Sequence, residues 1–132
     1  MNLSADLVVL SACSTASGNM TNNGEVRSLG YAFQVAGAKS VLMSQWPVDD
    51  KSTSILMNKF YQKLKSGLSK SDALRAAKLE FVEETDPALS NPFYWAPFVI
   101  YGDNSAIENQ SKFPNILLLL IGFLIALALL IA

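Results

Sequence analysis

Cys13 is the only cysteine of a 132-residue chain that contains no histidine. It follows the run Asp6-Leu7-Val8-Val9-Leu10-Ser11-Ala12, where an apolar stretch gives way to small polar residues. A thiol just past the C-terminal tip of a buried strand stands where an open α/β sheet presents groups to a ligand. It is also a natural position for a nucleophile. The reactive form is the thiolate, and a free cysteine is barely ionised at neutral pH. Activation needs a base, a cation or a helix N-terminus, and the usual base, imidazole, is absent. The alternative is a small buried hydrophobe, a common role for cysteine.

The second cluster is Trp46-Pro47-Val48-Asp49-Asp50. If it follows a strand parallel to the first, Asp49 and Asp50 flank the same crevice as Cys13. A carboxylate there could receive a basic side chain, best an Arg held by two parallel hydrogen bonds. The competing role is to cap the helix that follows. Glu25 has a similar double reading, as a site residue or as an acid favouring a helix N-terminus. The aromatic run Phe93-Tyr94-Trp95 either packs beneath a loop or touches substrate.

These residues need a frame to hold them. Residues 6–11 are apolar on both faces, the pattern of a central strand in a parallel sheet. Residues 14–24 are rich in Ser, Thr, Gly and Asn and read as a loop. From Glu25 to about Ala36, Val26, Leu29, Phe33 and Ala36 recur at helical spacing, and Gly37 is placed to end that helix. Ser40–Trp46 reads as a second strand, stopped by Pro47. Strand, helix and strand make a βαβ unit with a right-handed crossover.

A helix capped by Asp49 or Asp50 should run to about Lys65, with Ile55, Leu56, Phe60 and Leu64 inward. A further helix starts after Ser69, with Asp72 three residues on in the manner of a capping box. Its buried stripe is Ala73, Leu74, Ala77 and Phe81. Residues 87–92 form a turn region, and Phe98–Tyr101 is a third strand closed by Gly102.

The segment Phe113–Ala132 carries no charge and is almost wholly Ile, Leu, Phe and Ala. At about 1.5 Å per residue it can span a bilayer core of about 30 Å, and it reads as a C-terminal transmembrane helix. Residues 104–112 then form a linker, and the domain before it is expected on the cytoplasmic side. The net charge of −1 implies no pull toward nucleic acid. One cysteine without histidine offers no metal-ligand cluster. No Gly-x-Gly-x-x-Gly or Walker spacing is present, so a nucleotide cofactor is not indicated.

Several of these stretches together resemble a CHAT domain. They are the Asp6–Thr15 run, Gly24-Glu25-Val26-Arg27-Ser28-Leu29-Gly30-Tyr31, Gln45-Trp46-Pro47-Val48-Asp49-Asp50, Gly67-Leu68-Ser69-Lys70-Ser71-Asp72 and Pro92-Phe93-Tyr94-Trp95-Ala96-Pro97. The resemblance covers roughly residues 3–103. It implies the C-terminal portion of a caspase-like three-layer α/β sandwich with a mostly parallel sheet. It further implies a cysteine peptidase related to separase, of a kind often joined to tetratricopeptide repeats in bacteria.

By position, Cys13 matches the nucleophile. Asp50 matches the acid that receives the basic residue before the scissile bond, with Asp49 beside it as the weaker candidate. The family's base is a histidine followed by glycine on an earlier strand, and that glycine also serves the oxyanion hole. Neither is found here. The loss removes about 10²–10⁴-fold for the base and about 10²–10³-fold for one oxyanion donor. The expectation is therefore part of a larger or split protein, inactive alone. Its partners would be a peptide substrate, an upstream or trans-supplied histidine-bearing half or repeat segment, and a membrane. The competing expectation is a non-catalytic, tail-anchored scaffold.

Overall fold

The computed structural model describes residues 2–11, 18–20 and 26–108. Cys13, Glu25 and the apolar tail lie outside them. Three strands form the main sheet: β1 (Val8–Leu10), β4 (Ser40–Ser44) and β5 (Phe98–Gly102), in the order β1-β4-β5. A separate antiparallel pair joins β2 (Gly18–Met20) to β3 (Val26–Ser28). The helices are α1 (Leu29–Val35), α2 (Asp50–Lys65), α3 (Lys70–Glu84) and the short α4 (Pro92–Trp95).

β4 is buried along its whole length because both of its faces are covered. Leu42 points toward α2 and α3, where Leu56, Phe60, Leu64, Ala73, Leu74, Ala77 and Phe81 make the main core. Val41 and Met43 point the other way and pack with Phe33 of α1. Alternation across the pleat therefore yields three layers, α1, the sheet, then α2 with α3. Gly30 of α1 is buried, and a side chain there would run into that of Met43.

The sheet is mixed where a mostly parallel one was expected. β1 and β4 are parallel, with Val8 opposite Val41 and Leu10 opposite Met43. β5 runs antiparallel to β4, with Phe98 opposite Ser44 and Gly102 opposite Ser40. The reason lies in the connection. One crossover helix returns a chain to the edge where it began, giving a parallel strand. Here α2 and α3 form a hairpin, so the chain makes two passes and re-enters from the edge it had left. Ion pairs fix that hairpin: Lys59 reaches Glu80 at 2.8 Å and Glu84 at 2.6 Å, and Lys63 reaches Glu80 at 2.5 Å.

The first helix also starts later than its periodicity suggests. Residues 26–28 pair with β2, and Ser28 caps α1 by accepting from the Tyr31 N–H. Gly37 adopts φ 107°, as expected of a residue ending a helix in the left-handed region. At the start of β5, Lys78 donates to the carbonyl of Phe98 at 2.8 Å and to that of Ala96, just before the strand, at 3.3 Å. These alternate with Pro97, whose carbonyl accepts from Gln45 of the β4 side. Among the described residues β5 is the edge strand on this side, and Lys78 covers acceptors at its start, a recognised way to blunt edge pairing. Burial alone holds its ammonium pKa below the usual lysine value.

Among the described residues no helix is long and apolar enough to cross a membrane. The segment 113–132, expected to do so, lies outside them. Residues 104–108, expected to begin a linker, are fastened to the domain. The Lys70 ammonium, 1% exposed, donates to the Asp103 carboxylate at 3.0 Å and to its backbone carbonyl at 3.1 Å. The Asn104 side chain accepts from the Ser71 N–H at 2.7 Å. Ile107 packs against the main core.

Candidate active site

β1 and β4 leave the sheet on the same edge, because they are parallel and in register to Leu10 and Met43. The chain beyond Leu10 leads to Ser11, and from there to Cys13, which is outside the described residues. The chain beyond Ser44 leads through Trp46 and Pro47 to the start of α2. A strut holds this second loop: the Trp46 indole N–H donates to the Phe93 carbonyl at 3.0 Å. The aromatic run thus supports the loop carrying the two aspartates.

The aspartates have different local roles. Asp49 is extended, at φ −82° and ψ 133°, and is the N-cap of α2. Its carboxylate accepts from the Ser52 N–H at 2.8 Å, and its carbonyl accepts from the Ser52 hydroxyl at 3.0 Å. That carboxylate satisfies one of the N–H groups every helix start leaves unpaired. Asp50 is the first helical residue and is exposed. Its carboxylate makes no hydrogen bond or ion pair among the described residues, which leaves it available to an incoming cation.

Two clefts lie away from these aspartates. One, of about 650 Å³, sits between α3 and β5, lined by Leu74, Lys78, Leu79, Val82, Phe98 and Ile100 among others. The other, of about 570 Å³, follows the open side of β1, lined by Leu7, Val9, Tyr61 and Ile107 among others. No strand pairs with that side of β1 among the described residues. No group of three or more potential metal-ligating side chains occurs among them either.

Sequence reasoning missed the polar fastening at the opposite edge, where β1 and β4 begin. Asp6 pairs with Lys39 at 2.7 Å, and the Asp103 N–H donates to the Lys39 carbonyl at 2.9 Å. Asp103 is held at about 2, well below its usual 3.8. The hydrogen bond from the Ser105 hydroxyl contributes most and the bond from Lys70 next. Lys70 and Asp103 lie far apart in sequence, so no local pattern announces them.

The CHAT domain family profile matches residues 1–103 of this chain. Tetratricopeptide repeat protein 28 of Mus musculus is 36% identical over 112 residues, covering 85% of this chain and 4% of the mouse protein. The Homo sapiens protein of the same name is 33% identical over 112 residues, with the same coverage. The chain therefore spans only a small fraction of the length of these relatives. Both are mammalian, whereas the resemblance pointed to bacterial proteins. No solved structure matches the chain significantly.

Proposed function

The chain belongs to the CHAT domain family, and on that footing we propose that it carries the nucleophile and the basic-residue pocket of a caspase-like cysteine peptidase. In this reading Cys13 attacks the peptide carbonyl. Asp50 holds an Arg or Lys side chain just before the scissile bond. Asp49 sets the start of α2 and so orients Asp50. The observation that supports the reading is the parallel pairing of β1 and β4, whose C-terminal ends share one edge; Asp50 opens the helix after β4, and Cys13 follows β1 three residues on in the sequence.

The chain has no imidazole, so the base comes from outside these 132 residues. Among the described residues no strand pairs with the outer side of β1, and the cleft of about 570 Å³ beside it suits a segment that extends the sheet by strand addition. The partner is a peptide-bearing substrate together with a histidine-bearing segment. The name of the mammalian relatives supports a tetratricopeptide repeat segment as a further partner. The uncharged stretch Phe113–Ala132 is read as a membrane anchor, with the domain on the cytoplasmic side.

The test supplies free imidazole as the missing base and adds a peptidyl electrophile bearing arginine or, as control, norleucine. Imidazole should accelerate labelling, Cys13→Ala should abolish it, and the arginine probe should react faster. Labelling that survives Cys13→Ala overturns the reading.

The absence of histidine also favours a second reading, a non-catalytic tail-anchored scaffold that binds protein partners. Equal reaction of both probes, with no response to imidazole, would support it.

A further inference from the structure

Two hydroxyls are buried near the start of α2, and they differ in how they are paired. The Ser52 hydroxyl donates to the Asp49 carbonyl at 3.0 Å. Thr53 is 8% exposed, and its hydroxyl has no hydrogen-bond partner. Among the described residues it is the one buried side-chain polar atom left so. A helical threonine ordinarily turns its hydroxyl to a carbonyl three or four residues earlier. Four residues before Thr53 stands the Asp49 carbonyl, which is already taken twice. It accepts from the Ser52 hydroxyl and from the Thr53 N–H, the latter at 2.9 Å. A carbonyl offers two lone pairs, so Thr53 finds this local acceptor full. Its buried hydroxyl bears the whole cost of its lost hydration.

The register of α2 sets that hydroxyl beneath Asp50. Thr53, Met57, Phe60 and Leu64 are buried and recur at steps of three and four, which makes them one helical stripe. Asp50, three residues before Thr53, continues the stripe to the exposed helix start. Residues three apart on a helix have Cβ atoms about 5–6 Å apart. Each Cα–Cβ bond also tilts toward the N-terminus of its helix, so Thr53 leans toward Asp50. An exposed, unengaged carboxylate thus stands directly above a buried, unengaged hydroxyl.

We propose that Asp50 and Thr53 hold one arginine side chain between them, the carboxylate taking one edge of the guanidinium and the hydroxyl accepting an N–H from another. The proposal rests on the reading of Asp50 as the seat of the basic residue and names the residue type it selects. A guanidinium is planar, with five N–H donors directed outward in its plane, so it serves acceptors on different sides at once. A lysine ammonium is a compact and strongly hydrated point charge. It can answer Asp50, but pressing it against Thr53 strips water that one neutral acceptor does not replace. The hydroxyl therefore separates arginine from lysine, while Asp50 separates a cation from a neutral side chain. Water does not reach the Thr53 oxygen in the free chain, so its partner arrives only when the guanidinium seats against it.

The experiment measures binding of blocked peptides ending in arginine, lysine or norleucine amide to the full chain carrying Cys13→Ala, by calorimetry. Both cationic peptides should bind more tightly than norleucine, and arginine more tightly than lysine. Thr53→Val keeps the shape and removes the hydroxyl. It should lower the arginine-to-lysine ratio about tenfold and leave the lysine-to-norleucine ratio as it was. Thr53→Ser retains the hydroxyl and should retain the ratio. In urea, Thr53→Val should unfold at or above the parent midpoint, because it removes a buried group that nothing satisfies. A lower midpoint would show the hydroxyl already paired in the fold, by an ordered water for example, and would overturn the proposal. So would a parent that binds lysine as tightly as arginine, or a ratio unmoved by Thr53→Val; both leave the reading of Asp50 standing. A parent that binds norleucine as tightly as either cation overturns that reading and this proposal with it.

Discussion

Adjacent aspartates at the head of α2 should respond to mutation in opposite ways. The Asp49 carboxylate accepts from the Ser52 N–H at 2.8 Å, so Asp49→Ala removes an N-cap. Such losses cost about 1 kcal/mol, within a range of about 0.5–2. For a domain near 100 residues that lowers Tm by about 4–8 °C. Asp49→Asn keeps an acceptor oxygen at the same place and should stay within a few tenths of a kcal/mol of the parent, because Asn caps about as well as Asp. Asp50 caps nothing. Asp50→Asn loses only its favourable placement at the positive helix end, about 0.3–0.5 kcal/mol at an exposed position. Its effect should appear in recognition instead. A hydrogen bond to a charged group contributes about 1.5–3 kcal/mol, and the exposure of Asp50 puts it at the lower end. The preference for an arginine over a norleucine electrophile should therefore fall about tenfold in Asp50→Asn. Urea unfolding followed by Trp46 and Trp95 fluorescence gives the stabilities, and competition labelling at Cys13 gives the preference. The assignment is refuted if Asp49→Asn removes the preference while Asp50→Asn retains it.

Two further outcomes are expected. Phe60 is fully buried between α2, α3 and the sheet, so Phe60→Ala should cost about 3–5 kcal/mol; a loss under 1 kcal/mol in the same unfolding assay would contradict the core assignment. The Asp103 carboxyl titrates at about 2 in the fold against an ordinary 3.8. A depressed acid contributes stability above its unfolded value and loses it as protons bind. Stability should therefore fall as pH drops from about 4 toward 2, and Asp103→Asn should flatten that limb while leaving its other carboxylate contributions in place.

Where burial repeats with the helical period, the sequence alone was enough. Ala73, Leu74, Ala77 and Phe81 face the core of α3 as their spacing requires, and Ser69 caps it, its hydroxyl accepting from the Asp72 N–H. The start of α1 was not legible, because Val26 and Leu29 fit the helical period while residues 26–28 pair with β2; a three-residue overlap cannot separate the two periods. The residue types at the candidate site were also legible: one thiol, two acids and no imidazole.

The tertiary structure decided what local pattern cannot carry. The direction of β5 depends on how many helices return the chain before it, which is a property of packing and leaves no mark within Phe98–Gly102. Asp49 and Asp50 are chemically identical neighbours, and only the extended backbone at Asp49 turns one into a cap and leaves the other open. The Lys70–Asp103 pair exists because α3 begins and β5 ends at the same edge of the sheet. Hydrophobic periodicity records which side of an element is buried, whereas hydrogen bonds between distant residues are set by where whole elements come to rest.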